Sequence, residues 1–139
     1  MIVVDVNVVA YFFIEGEKTG LAHELRRCDP DWVLPSLWRH EFLNVLATFA
    51  RAGGASIVDV QTLYLQSVDM LGNAERDVDM TDALALATRL GVSTNDAQYA
   101  TLAQQLGTAC VSEDKRLQRT FPDIVHGMQG FIERRSHER

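Results

Sequence analysis

The chain has 139 residues, 47% hydrophobic and 23% charged, a globular composition within the roughly 50–250 residues of one domain. A chain near this length buries about 68–70% of the surface its unfolded form exposes, so it needs no structural metal or disulfide, and a bound metal would be functional. Thirteen basic against nineteen acidic residues leave a net charge of −6, which excludes a protein that holds nucleic acid by its overall charge and leaves only a local basic patch for that work.

The opening stretch, Met1-Ile-Val-Val-Asp5, has no basic n-region and places a carboxylate where a signal peptide needs apolar sequence. The longest apolar run, Val8–Ile14, falls far short of the roughly 20 residues that cross a bilayer. A cytoplasmic protein without a membrane segment is therefore expected, and Cys28 and Cys110, which lack zinc-site spacing, are expected to remain reduced thiols. Ile2–Val4 lacks polar alternation, as a strand buried on both faces of a parallel sheet does, and Asp5 closes it. Residues 6–14 and 19–28 are helical in pattern. Trp32–Leu34 forms a second strand, after which Pro35 and Ser36 lead into a capped helix.

That third helix carries Trp38, Phe42, Val45, Leu46 and Phe49 at i, i+4, i+7, i+8 and i+11, one apolar stripe that Gly53-Gly54 ends. Ser56 starts another helix, which runs to about Gly72. Residues 74–79 are polar and have room for only a short strand around Val78. Thr81-Asp82 then cap a helix to Gly91, and Ser93 or Thr94 caps the next, where Tyr99, Leu102, Ala103 and Leu106 keep the helical period as far as Gly107. Ala109–Val111 is a strand, Asp114 opens a short helix, Ile124-Val125 is a last strand, and the charged tail 133–139 is expected to fray. Strands alternating with helices imply an α/β fold, a three-layer α/β/α sandwich around a central parallel sheet, in one domain over residues 1–139.

In an open parallel sheet, ligands bind outside the carboxyl ends of the strands. Asp5 ends the first strand, Glu41 lies early in the helix after the second, Asp96 is in the first turn of its helix, and Asp114 follows the Ala109–Val111 strand, so all four carboxylates fall on that edge. Gathered carboxylates repel and raise one another's pKa, and a divalent cation relieves the strain. Oxygen ligands without nearby Cys or His suit Mg2+ or Mn2+, ions that activate water and offset charge on phosphates. Taken singly, Asp96 and Asp114 also read as partners of a helix dipole. Glu41 is harder to explain so, beside an apolar stripe, and Asp5 after three apolar residues calls for a partner.

Other polar residues carry two readings each. Asn7 caps the first helix or helps hold a water on the metal, with capping the simpler role. Ser112 contacts a phosphate or bonds its own backbone, and Glu113 is solvated or helps at the metal, with the solvated reading the simpler. Lys115, Arg116 and Arg119 form either a phosphate-positioning face or a solvated one. His23, His40, His126 and His137 share no ligand spacing, and Tyr11, Phe12, Phe13, Trp38, Phe42 and Phe49 read as core or a subunit interface.

Four segments in order, Ile2-Val-Val-Asp5-Val-Asn7-Val-Val, Arg39-His-Glu41-Phe-Leu-Asn-Val-Leu46, Asn95-Asp96-Ala-Gln-Tyr-Ala-Thr-Leu-Ala103 and Val111-Ser-Glu-Asp114-Lys-Arg-Leu117, resemble the motifs of the PIN-domain family. The size matches its VapC-type toxins. The resemblance implies a Mg2+-dependent ribonuclease with Asp5, Glu41, Asp96 and Asp114 as an acidic quartet, Asp5, Asp96 and Asp114 as metal ligands, and Ser112 at a position where that family often has Thr or Ser. It further implies RNA held by local bases such as Lys115 and Arg116, neutralisation by a small antitoxin, and a homodimer that the aromatic-rich first helices would serve. Two other readings stay open: a PIN-like binding module without activity, and a phosphoacceptor receiver domain. The latter needs adjacent acids after the first strand, where Val4-Asp5-Val6 has one.

Overall fold

The computed structural model describes residues 1–138. In chain order the elements are β1 (Ile2–Val4), α1 (Val6–Phe13), α2 (Thr19–Cys28), β2 (Trp32–Val33), α3 (Trp38–Arg51), α4 (Ile57–Leu71), a 3-10 turn (Gly72–Ala74), α5 (Met80–Leu90), α6 (Thr94–Leu106), β3 (Cys110–Val111), α7 (Lys115–Thr120), β4 (Val125–His126) and α8 (Met128–His137). The strands run parallel in the order β2-β1-β3-β4, with Val3 opposite Val33 on one side and Cys110 on the other.

Side chains alternate across this sheet, so its two faces bury two separate cores. Ile2, Val4 and Val111 face helices α1, α2, α3, α4 and α8, where Val8, Leu25, Trp38, Phe42 and Phe131 pack. Val3, Val33, Cys110 and Val125 face α5, α6 and α7, against Leu86, Tyr99, Leu102 and Leu117. The three-layer sandwich expected from the alternating elements is the observed fold. None of its described helices is long and apolar enough to cross a membrane.

Several local expectations are revised. The short strand expected around Val78 does not form: residues 76–79 have no regular structure, and the neighbouring Glu75 makes a single parallel bridge with Leu34. Ser36 does not cap α3: the chain enters through tight turns, with Trp38 N–H donating to Pro35 O at 3.2 Å and Arg39 N–H to Ser36 O at 3.3 Å. Asp79, two residues before the expected start, caps α5 by accepting from the Asp82 N–H at 3.1 Å. The tail is helical to His137, because Phe131 and Ile132 are buried and Arg135 donates to Asp29 at 2.9 Å.

The aromatic side chains of α1 pack inward. Phe12 stacks on His23 at 4.2 Å and meets Trp32 edge-on, while Phe13 leans on Phe42. Large exposed apolar side chains lie instead on α3 and α4 (Leu43, Ile57, Val58, Leu65) and on α5 (Met80, Leu84). Gly91 and Gly107 end α5 and α6 at φ +68° and +65°, a conformation that costs side-chain-bearing residues energy, and the first of these turns sets up the start of α6 and hence Asp96.

Candidate active site

Asp5 leaves β1 in extended conformation and caps α1, so its carboxylate sits where strand and helix meet. Its Oδ1 accepts from the Val6 N–H at 2.7 Å. Its Oδ2 accepts from the Ser112 hydroxyl at 2.7 Å and from Asn7 Nδ2 at 3.3 Å. Ser112 Oγ in turn accepts from the Asp114 N–H at 3.1 Å and from Asn7 Nδ2 at 3.2 Å, and Asn7 Oδ1 accepts from the Glu113 N–H at 3.2 Å. Asn7 and Ser112 thus stitch together the carboxyl ends of the adjacent strands β1 and β3. Asn7 is not the helix cap, a role Asp5 takes. Ser112 is fully buried, so its hydroxyl serves Asp5 and the Asp114 N–H and leaves no surface for a phosphate.

The other three carboxylates reach the same edge from helix starts. Asp114 caps α7, its Oδ1 accepting from the Arg116 N–H at 2.9 Å and the Leu117 N–H at 3.1 Å. Asp96 is in the first turn of α6, its own N–H donating to Ser93 Oγ at 3.0 Å. Glu41, early in α3, accepts from the Tyr99 hydroxyl at 2.6 Å. Tyr99 is the residue the sequence reading missed as a site residue, since its period marks it as core. The available signal was a phenol rather than a phenyl ring three residues after Asp96.

Burial drives the electrostatics. It pushes Asp5 up to about 6 against the Ser112 and Val6 hydrogen bonds, with Asp96 and Asp114 adding to the rise. It pushes Glu41 up to about 7 against the Tyr99 bond, with Asp5 and Asp96 adding again. Asp96 is also raised, by burial and then by Asp114, while the Ser93 bond and the Arg116 charge oppose. The four carboxylates therefore share one field, and among the described residues none of them forms a salt bridge.

The neighbouring charges are arranged differently. Glu113, expected to be solvated, is partly buried and accepts from Lys18 Nζ at 3.0 Å and the Met128 N–H at 2.9 Å. Burial pushes it up, yet those partners outweigh burial and hold it below the usual carboxylate range. Arg116 donates to Gly91 O at 3.2 Å, and Lys115 is exposed on the same short helix.

Among the described residues no three Asp, Glu, His or Cys side chains already converge as a complete ligand set. The donor chemistry nevertheless fits a hydrated Mg2+ or Mn2+: hard carboxylate oxygens that form no salt bridge among the described residues, around an ion that usually keeps several waters and takes only one or two carboxylates.

The PIN domain family matches residues 2–121. The chain is 25% identical over 130 residues to Ribonuclease VapC3 of Pyrobaculum aerophilum, an alignment that spans 89% of this chain and 97% of that protein. Its fold matches the crystal structure of PAE2754, also from Pyrobaculum aerophilum, with a TM-score of 0.77 at 16% identity, over 97% of this chain and 96% of the other. The family match runs from β1 through α7 and takes in Asp5, Glu41, Asp96 and Asp114, and the chain belongs to the PIN-domain family.

Proposed function

We propose that this chain is a divalent-cation-dependent endoribonuclease, the VapC-type toxin of a toxin–antitoxin pair. The observation that carries the reading is the carboxylate cluster at the carboxyl edge of the sheet, Asp5 buried and Glu41, Asp96 and Asp114 partly buried, with no salt bridge among the described residues and with Asp5 pushed up to about 6 and Glu41 to about 7. The relative named as a ribonuclease supports it.

In this proposal Asp5, Asp96 and Asp114 hold Mg2+ or Mn2+, and Glu41 orients the attacking water or helps hold the ion. When bound, such an ion lowers the pKa of water and offsets charge on the scissile phosphate. The remaining work falls to the chain. Ser112 and Asn7, both donating to Oδ2, and the Val6 N–H, donating to Oδ1, hold the Asp5 carboxylate in one orientation. Lys115 and Arg116 on α7 lie beside Asp114 and supply the local positive charge that an acidic protein needs to hold an RNA backbone. A small antitoxin would block this edge by bringing a basic side chain to the carboxylates, and a cytoplasmic homodimer completes the proposal.

Incubation of wild-type protein with mixed RNA in Mg2+ or Mn2+, with an EDTA control, tests the reading. Cleavage that EDTA abolishes is the expected result. Cleavage undiminished in EDTA contradicts metal dependence, and silence on every RNA favours a binding module. Induced expression should arrest growth, and co-expression of a small protein encoded alongside should relieve the arrest and co-purify.

A further inference from the structure

A buried tyrosine hydroxyl must find a hydrogen-bond partner, and a phenylalanine would fill the same volume without that demand. Tyr99 is fully buried in the core beneath α5, α6 and α7, yet its hydroxyl does not bond within that layer. It reaches Glu41 on α3, a helix whose Trp38, Phe42 and Leu46 belong to the core on the other face of the sheet. The contact therefore ties the two helical layers together across the carboxyl edge. Its 2.6 Å length belongs to the short range of O–H donors on carboxylates.

Glutamate ends in a broad, roughly two-fold torsion, so a carboxylate with no partner samples many orientations. Here Oε1 is taken, whereas Oε2 receives no hydrogen bond from the described residues. Tyr99 also stands one helical turn after Asp96, so a single helix carries one carboxylate of the cluster and the donor that fixes another.

We propose that Tyr99 is a positioning residue: its hydroxyl holds Glu41 by Oε1 and keeps Oε2 for the attacking water or the ion at the edge formed by Asp5, Asp96 and Asp114. This inference rests on the endoribonuclease reading.

The test compares Tyr99→Phe, Glu41→Gln and the double variant in the full chain, reading kcat and KM on RNA and the rise in Tm produced by Mn2+. Tyr99→Phe is expected to keep its circular dichroism and its KM within about twofold while kcat falls roughly 10–100-fold, the usual cost of losing a group that orients a ligand. In the Glu41→Gln background, adding Tyr99→Phe is expected to change kcat little, because the group it positions is already altered. A purely structural role would lower the apo Tm yet leave kcat and the Mn2+ response untouched.

A second measurement leaves Tyr99 in place. The wild-type NMR spectrum should show a slowly exchanging tyrosine hydroxyl proton that shifts in Glu41→Gln. Wild-type kcat in Tyr99→Phe, an equal loss of kcat in both backgrounds, or the absence of that proton overturns the inference while leaving the endoribonuclease reading intact. A wild type that cleaves no RNA and gains no Tm from Mn2+ overturns the functional reading, and this inference with it.

Discussion

Asp5 and Asp29 are buried to almost the same degree, 5% and 4% exposed, at opposite edges of one parallel sheet. Asp29, just before β2, accepts from Arg135 of α8 at 2.9 Å and from the Met1 ammonium at 3.2 Å. Among the described residues Asp5, just after β1, accepts only from neutral donors, and the charges that act on it are those of Asp96 and Asp114. A buried carboxylate is ordinarily paired, because desolvation of an isolated charge is costly. At one edge the fold supplies its own cations and gains a clamp on its last helix. At the other it gathers like charges, and in the proposed function a metal ion supplies the missing cation; on that reading the contrast separates a structural aspartate from a functional one.

The sharpest break of this comparison is in activity. Asp5→Asn is expected to lower RNA cleavage by more than the roughly 10–100-fold cost of losing a group behind a metal ligand. Asp29→Asn is expected to leave kcat unchanged, as read in one cleavage assay. Stability should divide the pair the other way. Asp29→Asn removes charge-assisted hydrogen bonds and is expected to cost about 1.5–3 kcal/mol in urea unfolding at pH 8, whereas Asp5→Asn should cost less or stabilise the metal-free protein.

The pH dependence of the metal-free fold sharpens the contrast. Asp5 is raised from 3.8 to about 6, so the folded state binds its proton more tightly than the unfolded state does. That contribution is fully present below pH 4 and is lost as pH rises through about 6, with Glu41 extending the loss through about 7. For Asp5 the loss amounts to at most about 3 kcal/mol. Urea unfolding in EDTA at pH 5 and pH 8 should show the decline, and Asp5→Asn should flatten it. A flat wild-type profile counts against an uncompensated Asp5. The smallest expected effect is that of Lys115→Ala, which should weaken RNA binding a few-fold and reduce its salt slope by about 1, without changing the response to Mn2+.

The four carboxylates were readable because each lies at an element boundary that local sequence marks: a strand end at Asp5, helix starts at Glu41, Asp96 and Asp114. What those side chains touch was not readable. The Asn7–Ser112 contact joins residues 105 apart and exists only because β1 and β3 are neighbours, an order that no local pattern encodes. Tyr99 fits the apolar period of α6 whether or not its hydroxyl has a partner. The tail resembles a fraying end by composition, and only the Arg135–Asp29 pair, 106 residues apart, with burial of Phe131 and Ile132, shows why it stays helical. Asp79 outcompeted Thr81 as the α5 cap because its carboxylate meets both the Asp82 N–H and the Thr81 hydroxyl.

Titration calorimetry of Mn2+ into metal-free protein at pH 7.5 tests the central claim most directly, because it asks whether the carboxyl edge takes the cation that the fold does not provide. Binding in the wild type and in Asp29→Asn, with loss in Asp5→Asn and in Asp96→Asn, is the predicted result. Absence of binding in the wild type, or equal binding in Asp5→Asn, would contradict it.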